Sequence, residues 1–148
     1  MLLKGNLIIR DALVEDIEAL TLLMADLGYP TSVTDMKARF ESIAAHPDYK
    51  TIVAVLDNEV VGMAGLCKGI YYEMNGTYMR ILAFVVKQDY RNMGIGRQLI
   101  AVAENWAVEQ GLNIVIINSG NRDERLASHA FYHEMGYAIK SLGFVKKL

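Results

Sequence analysis

The chain has 148 residues, 53% of them apolar, and its 15 basic against 17 acidic residues leave a net charge of −2. That length suits a single domain over residues 1–148 with a sizeable core, and the near-balanced charge gives no reason to expect nucleic acid or an anionic membrane as a partner. The apolar runs Ile81–Val86 and Ile114–Ile117 are too short to span a bilayer, residues 1–5 do not begin a signal peptide, and the lone Cys67 points to a reducing, cytoplasmic setting.

Leu7–Arg10 reads as a strand. Leu13, Ile17, Leu20, Met24 and Leu27 recur at spacings of four and three, one face of a helix that Gly28 and Pro30 stop. A second helix runs from about Asp35 to Ala45, with Met36, Phe40 and Ile43 inward and Ser32 or Thr34 as its cap. Thr51–Leu56 and Val60–Leu66 form a hairpin around Asp57-Asn58-Glu59. Lys68–Gly76 is a loop rich in tyrosine, and Met79–Val86 is a central strand, apolar on both faces at its end. The third helix spans about Gly94 to Gln110, burying Ile95, Leu99, Val102, Ala103 and Trp106, with Gly111 as its stop. Asn113–Asn118 is a strand. Asp123 or a neighbour caps a fourth helix through Met135, with Leu126, Ala127, Ala130 and Phe131 inward and Gly136 ending it. Tyr137–Ser141 and Gly143–Lys147 are expected to close the chain as strands. The order β-α-α-β-β-β-α-β-α-β-β describes one α/β domain with a mixed sheet.

The segment "DYRNMGIGRQLI" separates the central strand from the third helix. A turn over Arg91-Asn92-Met93-Gly94-Ile95-Gly96-Arg97 leaves backbone N–H groups without helical partners, and glycine lets a ligand come close to them. Those amides and the positive helix pole attract a phosphate or diphosphate, to which Arg91 and Arg97 add charge. Two glycines equally well permit nothing more than a tight strand-to-helix turn. Familiar phosphate loops do not fit. No Lys-Ser/Thr follows Gly96, Leu99 stands where a dinucleotide fingerprint needs glycine, and Asn118 stands where that fold places a ribose-binding acid.

Arg91 through Gly96 does satisfy R/Q-x-x-G-x-G/A, the core of the cofactor motif in the GNAT superfamily of acyl-CoA-dependent N-acetyltransferases, and the chain resembles that family. "AFVVKQDYRNMGIGRQLI" is similar to its strand, short arm and helix, and "SHAFYHEMGY" to its aromatic helix end. "IIRDALVEDIEALTLLMADLG" resembles its first strand and helix, and "HPDYKTIVAVLDNEVVGMAGL" its hairpin. The resemblance implies the GNAT fold: an α/β domain whose mixed central sheet has splayed parallel strands 4 and 5 and about four flanking helices. It also implies acetyl-CoA as cosubstrate, lying in the gap between those strands, and no metal. The pantetheine arm would pair with main-chain groups of Phe84, Val85 and Val86, and the diphosphate would sit on the amides from Arg91 to Arg97. Asn121 is a candidate polar contact to the arm, or a turn-forming residue beside Gly120.

Acetyl transfer needs an unprotonated amine, a stabilised oxyanion and a proton for the departing thiolate. A backbone N–H near Val85 is placed to meet the oxyanion. Tyr132 sits about 100° around the fourth helix from inward-facing Phe131. By position it is a packed boundary residue or a rim group; the resemblance makes it the general acid, with a phenol pKa of about 10 near that of an alkyl thiol. For the general base, Leu82 occupies the position where many relatives carry Glu, which leaves Glu73, His133 or a water chain. Cys67 is expected to pack.

The acceptor is expected to be a small-molecule or peptide amine, held by Gly28–Val33, Lys68–Gly76 and the final hairpin. Tyr29, Tyr71, Tyr72, Glu73 and Tyr78 are available there, an arrangement suited to a cation. A homodimer through an edge strand or helix is expected as well. The rival reading is a non-catalytic acyl-CoA-binding regulatory module on the same scaffold, which would have no use for Tyr132.

Overall fold

Five strands form one mixed sheet in the computed structural model, which describes residues 5–118 and 126–148. They are β1 (Leu7–Asp11), β2 (Tyr49–Leu56), β3 (Glu59–Ile70), β4 (Thr77–Val86) and β5 (Val115–Ile117), in that spatial order. Neighbours from β1 to β4 are antiparallel, and β5 runs parallel to β4. The Met79 N–H donates to the Ile114 carbonyl at 3.0 Å, just ahead of β5. The chain divides into two units, Met1–Ile116 and Ile117–Leu148.

In the first unit the sheet is covered on both faces. Helices α1 (Ile17–Leu27) and α2 (Val33–Ala44) bury Ile17, Leu20, Leu23, Met24, Met36 and Phe40 against Val53, Val55, Met63 and Val85. Because strand side chains alternate, Ile52 and Ala54 point the other way, toward helix α3 (Ile95–Glu109). That helix buries Leu99, Ile100, Ala103 and Ala107. It packs so close that a Cβ on Gly62 of β3 would lie 3.1 Å from the Leu99 side chain.

Local chemistry accounts for the element ends. The α1 helix stops at Gly28, whose φ of +106° is left-handed, and the Tyr29 N–H returns to the Met24 carbonyl at 2.8 Å. Ser32 caps α2, its Oγ accepting from the Asp35 N–H at 3.1 Å. Asp57 and Asn58 both take positive φ, 48° and 67°, the conformation of a two-residue hairpin turn. Before α1, Asp16 is buried and accepts from both Arg10 guanidinium nitrogens, at 2.7 and 3.0 Å, and from the Leu13 N–H at 2.7 Å. This network ties β1 to the start of α1. It leaves Leu13 outside the helix and half exposed, so the apolar face begins at Ile17.

The second unit contains α4 (Leu126–Glu134), which ends at Gly136 with φ of +92°. The closing strands expected over Tyr137–Ser141 and Gly143–Lys147 do not form: residues 137–148 carry no strand. Ile139, Leu142, Phe144 and Val145 stand exposed there. High β-propensity makes a strand only where a neighbour supplies the ladder, and that is information a one-dimensional pattern lacks.

Candidate active site

β4 continues directly into the glycine-bearing turn, and successive contacts fix the path. The Lys87 N–H donates to the Val61 carbonyl at 2.8 Å, extending the β3–β4 ladder one step. A single 3-10 turn, Gln88–Tyr90, follows. Arg91 then reaches back, its Nε donating to the Val86 carbonyl at 2.9 Å. Asn92 and Gly94 take positive φ, 63° and 83°. Gly94 is the N-cap of α3, and its carbonyl accepts from the Gln98 N–H at 3.2 Å. A Cβ added at Gly94 would meet nothing within 4 Å. The backbone conformation therefore favours glycine, while the space beside it is open to an approaching group.

The turn is also gripped from the side. Glu59, first residue of β3, accepts from Lys87 Nζ at 3.0 Å through Oε1 and from the Tyr90 hydroxyl at 2.6 Å through Oε2. Tyr90 first, then Lys87, hold the Glu59 carboxyl below the usual carboxylate range, and Glu59 in return raises both partners. Glu59 and Lys87 line a cleft of about 370 Å³ together with Glu15, Glu18 and Leu22 of the first helical segment.

The expected site residues of the first unit fall along one continuous path. Phe84, Val85 and Val86 end β4, with Val85 buried against α1 and α2 and its two neighbours half-buried. Arg91 and Asn92 are exposed and Met93 is half-buried. Ile95 is buried in the core, and half-buried Gly96 with exposed Arg97 completes the first turn of α3. One feature escaped the sequence reading. The register skips from Gly65↔Ala83 to Leu66↔Ile81, so Leu82 is the extra residue of a β-bulge, half exposed. A bulge bends a strand and increases its twist, and this one lies two residues before Phe84. Continuous apolar character from Ile81 to Val86 hid it.

Tyr132 lies in the second unit, half-buried on α4. Its ring meets Phe131 edge-on at 5.8 Å and Tyr137 at 6.4 Å, and its carbonyl accepts from the Tyr137 N–H at 2.9 Å. His133 is exposed. Asn121 and Asp123 lie outside the described residues.

The tyrosine-bearing loop is shorter than expected, because β3 runs on to Ile70. The Tyr71 and Tyr78 rings lie 4.9 Å apart, and the Arg80 guanidinium stands 5.8 Å over Tyr78. The Tyr71 hydroxyl is buried without a hydrogen-bond partner among the described residues. Burial, then the charge of Glu73, raises its phenol pKa. Tyr72 is fully exposed. Cys67 is half-buried and donates to the Lys68 carbonyl at 3.3 Å.

Among the described residues no helix is long and apolar enough to cross a membrane. The sequence model of the acetyltransferase (GNAT) family matches residues 17–137. The chain is 36% identical to a GNAT family acetyltransferase of Staphylococcus aureus whose crystal structure superposes with a TM-score of 0.82, covering 96% of this chain and 98% of that one. It is 28% identical to the aminoalkylphosphonate N-acetyltransferase of Salmonella typhimurium, over 95% of this chain and 90% of that protein. An uncharacterised N-acetyltransferase of Chlorobaculum tepidum is 30% identical over 87% of this chain and 74% of its own length.

Proposed function

Because the chain belongs to the GNAT acetyltransferase family, we propose that it moves an acetyl group from acetyl-CoA to a primary amine by direct attack in a ternary complex. The observation that carries this reading is the left-handed Gly94 opening α3 at the end of β4, with open space where a side chain would stand. The diphosphate rests on the amides of Arg91 to Arg97 at the positive end of α3, with Arg91 and Arg97 adjoining. The pantetheine arm pairs with main-chain groups of Phe84, Val85 and Val86, and Asn121 adds a polar contact.

The amine lone pair attacks the thioester carbonyl carbon. A backbone N–H near Val85 receives the developing oxyanion. When the intermediate collapses, the carbon–sulfur bond breaks, and the sulfur takes the phenolic proton of Tyr132, which later recovers one from solvent. The amine proton leaves to water. The products are an acetylated amine and free CoA thiol.

The amine panel names the acceptor: thiol release from acetyl-CoA, followed across polyamines, amino sugars, amino-acid derivatives and peptides. Release stimulated by one class supports the reading. Tight acetyl-CoA binding with no release for any amine would favour a regulatory acyl-CoA-binding module instead.

A further inference from the structure

The turn proposed to hold the diphosphate is braced by a carboxylate that no part of that proposal uses. Residues 87–94 carry the chain from β4 to α3, and the 3-10 turn at their start has few internal bonds: the Tyr90 N–H reaches the Lys87 carbonyl at 2.9 Å and the Arg91 N–H reaches that of Gln88 at 3.3 Å. Such short turns hold themselves poorly. What fixes this one comes from β3. Both oxygens of Glu59 are engaged, one by Lys87 and one by the Tyr90 hydroxyl, whose 2.6 Å contact is a short charge-assisted bond. Glu59 itself sits on a rigid support, since it follows the two positive-φ residues of the β2–β3 turn and pairs with Leu56.

We infer that Glu59, acting through Tyr90 and Lys87, is a positioning residue for the diphosphate turn: it sets the amides from Arg91 onward at the spacing a bound diphosphate requires. This rests on the proposed function. The clamp spans β3 and the turn, and Arg91 Nε on the Val86 carbonyl carries the constraint forward toward Gly94. A cradle no longer held at that spacing has to be ordered by the ligand itself, and that ordering weakens binding. The clamp also keeps Lys87 turned toward β3, so the charge that meets the diphosphate comes from the helix end and its arginines.

Calorimetry with two probes tests this on the full chain. Acetyl-CoA carries the diphosphate; S-acetyl-pantetheine carries the thioester arm alone. Tyr90→Phe is expected to weaken acetyl-CoA about fivefold and Glu59→Ala about tenfold, with the double variant no weaker than Glu59→Ala because the two act as one unit. Affinity for S-acetyl-pantetheine should stay at the wild-type value in each. Equal weakening of both probes would make the clamp merely structural, and tighter acetyl-CoA binding in Glu59→Ala would show that the released Lys87 is the group that matters; either overturns the inference. If Glu59→Ala does not fold, Tyr90→Phe, which loses one exposed hydroxyl, decides alone. Wild-type binding that Gly94→Val abolishes, with both clamp variants at full affinity, would leave the proposed site standing and remove only the clamp. No wild-type binding at all would remove both.

Discussion

The two ends of β4 are built differently. Its ten residues, at about 3.3 Å each, put about 30 Å between Thr77 and Val86. Beyond Val86 the chain is held by an ion pair, a short phenol–carboxylate bond and a guanidinium on a main-chain carbonyl before it enters a 15-residue helix. Beyond Thr77 the hairpin ends in a loop closed by one long bond, Tyr71 N–H to the Gly76 carbonyl at 3.4 Å, with Ile70, Tyr72 and Met74 exposed. A site for a ligand of fixed chemistry, such as a diphosphate, gains from rigid amides. A site that selects among amines can be made of adaptable aromatic side chains on a loose loop. The contrast supports the proposal that one end of the strand grips the cosubstrate and the other chooses the acceptor.

Substitutions at the rigid end should have the greatest effect. Gly94→Val forces a β-branched residue into positive φ, a strain of about 1–3 kcal/mol, and puts its side chain into the open space. Acetyl-CoA binding by calorimetry should fall about a hundredfold or more, and retained affinity would place the diphosphate elsewhere. On the proposed mechanism, Tyr132→Phe, in the second unit, removes a proton donor and leaves the grip alone. Turnover should drop about tenfold or more with acetyl-CoA affinity nearly unchanged, whereas unaltered turnover would strip Tyr132 of its role.

Asp16→Asn probes the tie between β1 and the start of α1. It breaks an ion pair whose carboxylate is buried and whose guanidinium is partly exposed, so unfolding by urea should show a loss of roughly 1–2 kcal/mol at neutral pH. The Arg10 hydrogen bond, then the Leu13 N–H and the Arg10 charge, outweigh burial and hold the Asp16 carboxyl below its ordinary value. Its stabilisation is therefore complete above the unfolded value of about 3.9 and drains away as pH falls through the lower folded value. Wild type and variant should converge in stability as acid is added; a constant gap would mean that the charge is not what matters. The loose end should respond least: Tyr72→Ala and Glu73→Gln should leave acetyl-CoA affinity within about twofold while changing the Michaelis constant for the amine. A large loss of cosubstrate affinity there would dissolve the distinction between the ends.

How far the sequence reached follows the same division. Helical periodicity placed α3 within a residue of its observed ends, and Gly94 declared itself because positive φ leaves few alternatives. The clamp did not. Glu59 and Lys87 lie 28 residues apart, and nothing in either residue names the other until the β3–β4 register is known. Counting outward from Gly62↔Val86 brings Glu59 beside the turn, so a correct hairpin register would have exposed it. The bulge at Leu82 was hidden by unbroken apolar sequence, and the closing strands were over-read because Ile139 and Phe144 have β-propensity whether or not a partner strand is there. The acceptor loop stays illegible for a related reason: tyrosines are common on surfaces and carry no spacing rule.

The central claim is that acetyl-CoA engages the amides between β4 and α3. Hydrogen exchange of individual backbone amides, with and without saturating acetyl-CoA, measures those groups directly. Slowed exchange confined to residues 84–86 and the turn from 91 to 97, with the 71–76 loop unchanged, is the expected result. Unchanged exchange throughout 91–97 while acetyl-CoA is demonstrably bound would contradict it.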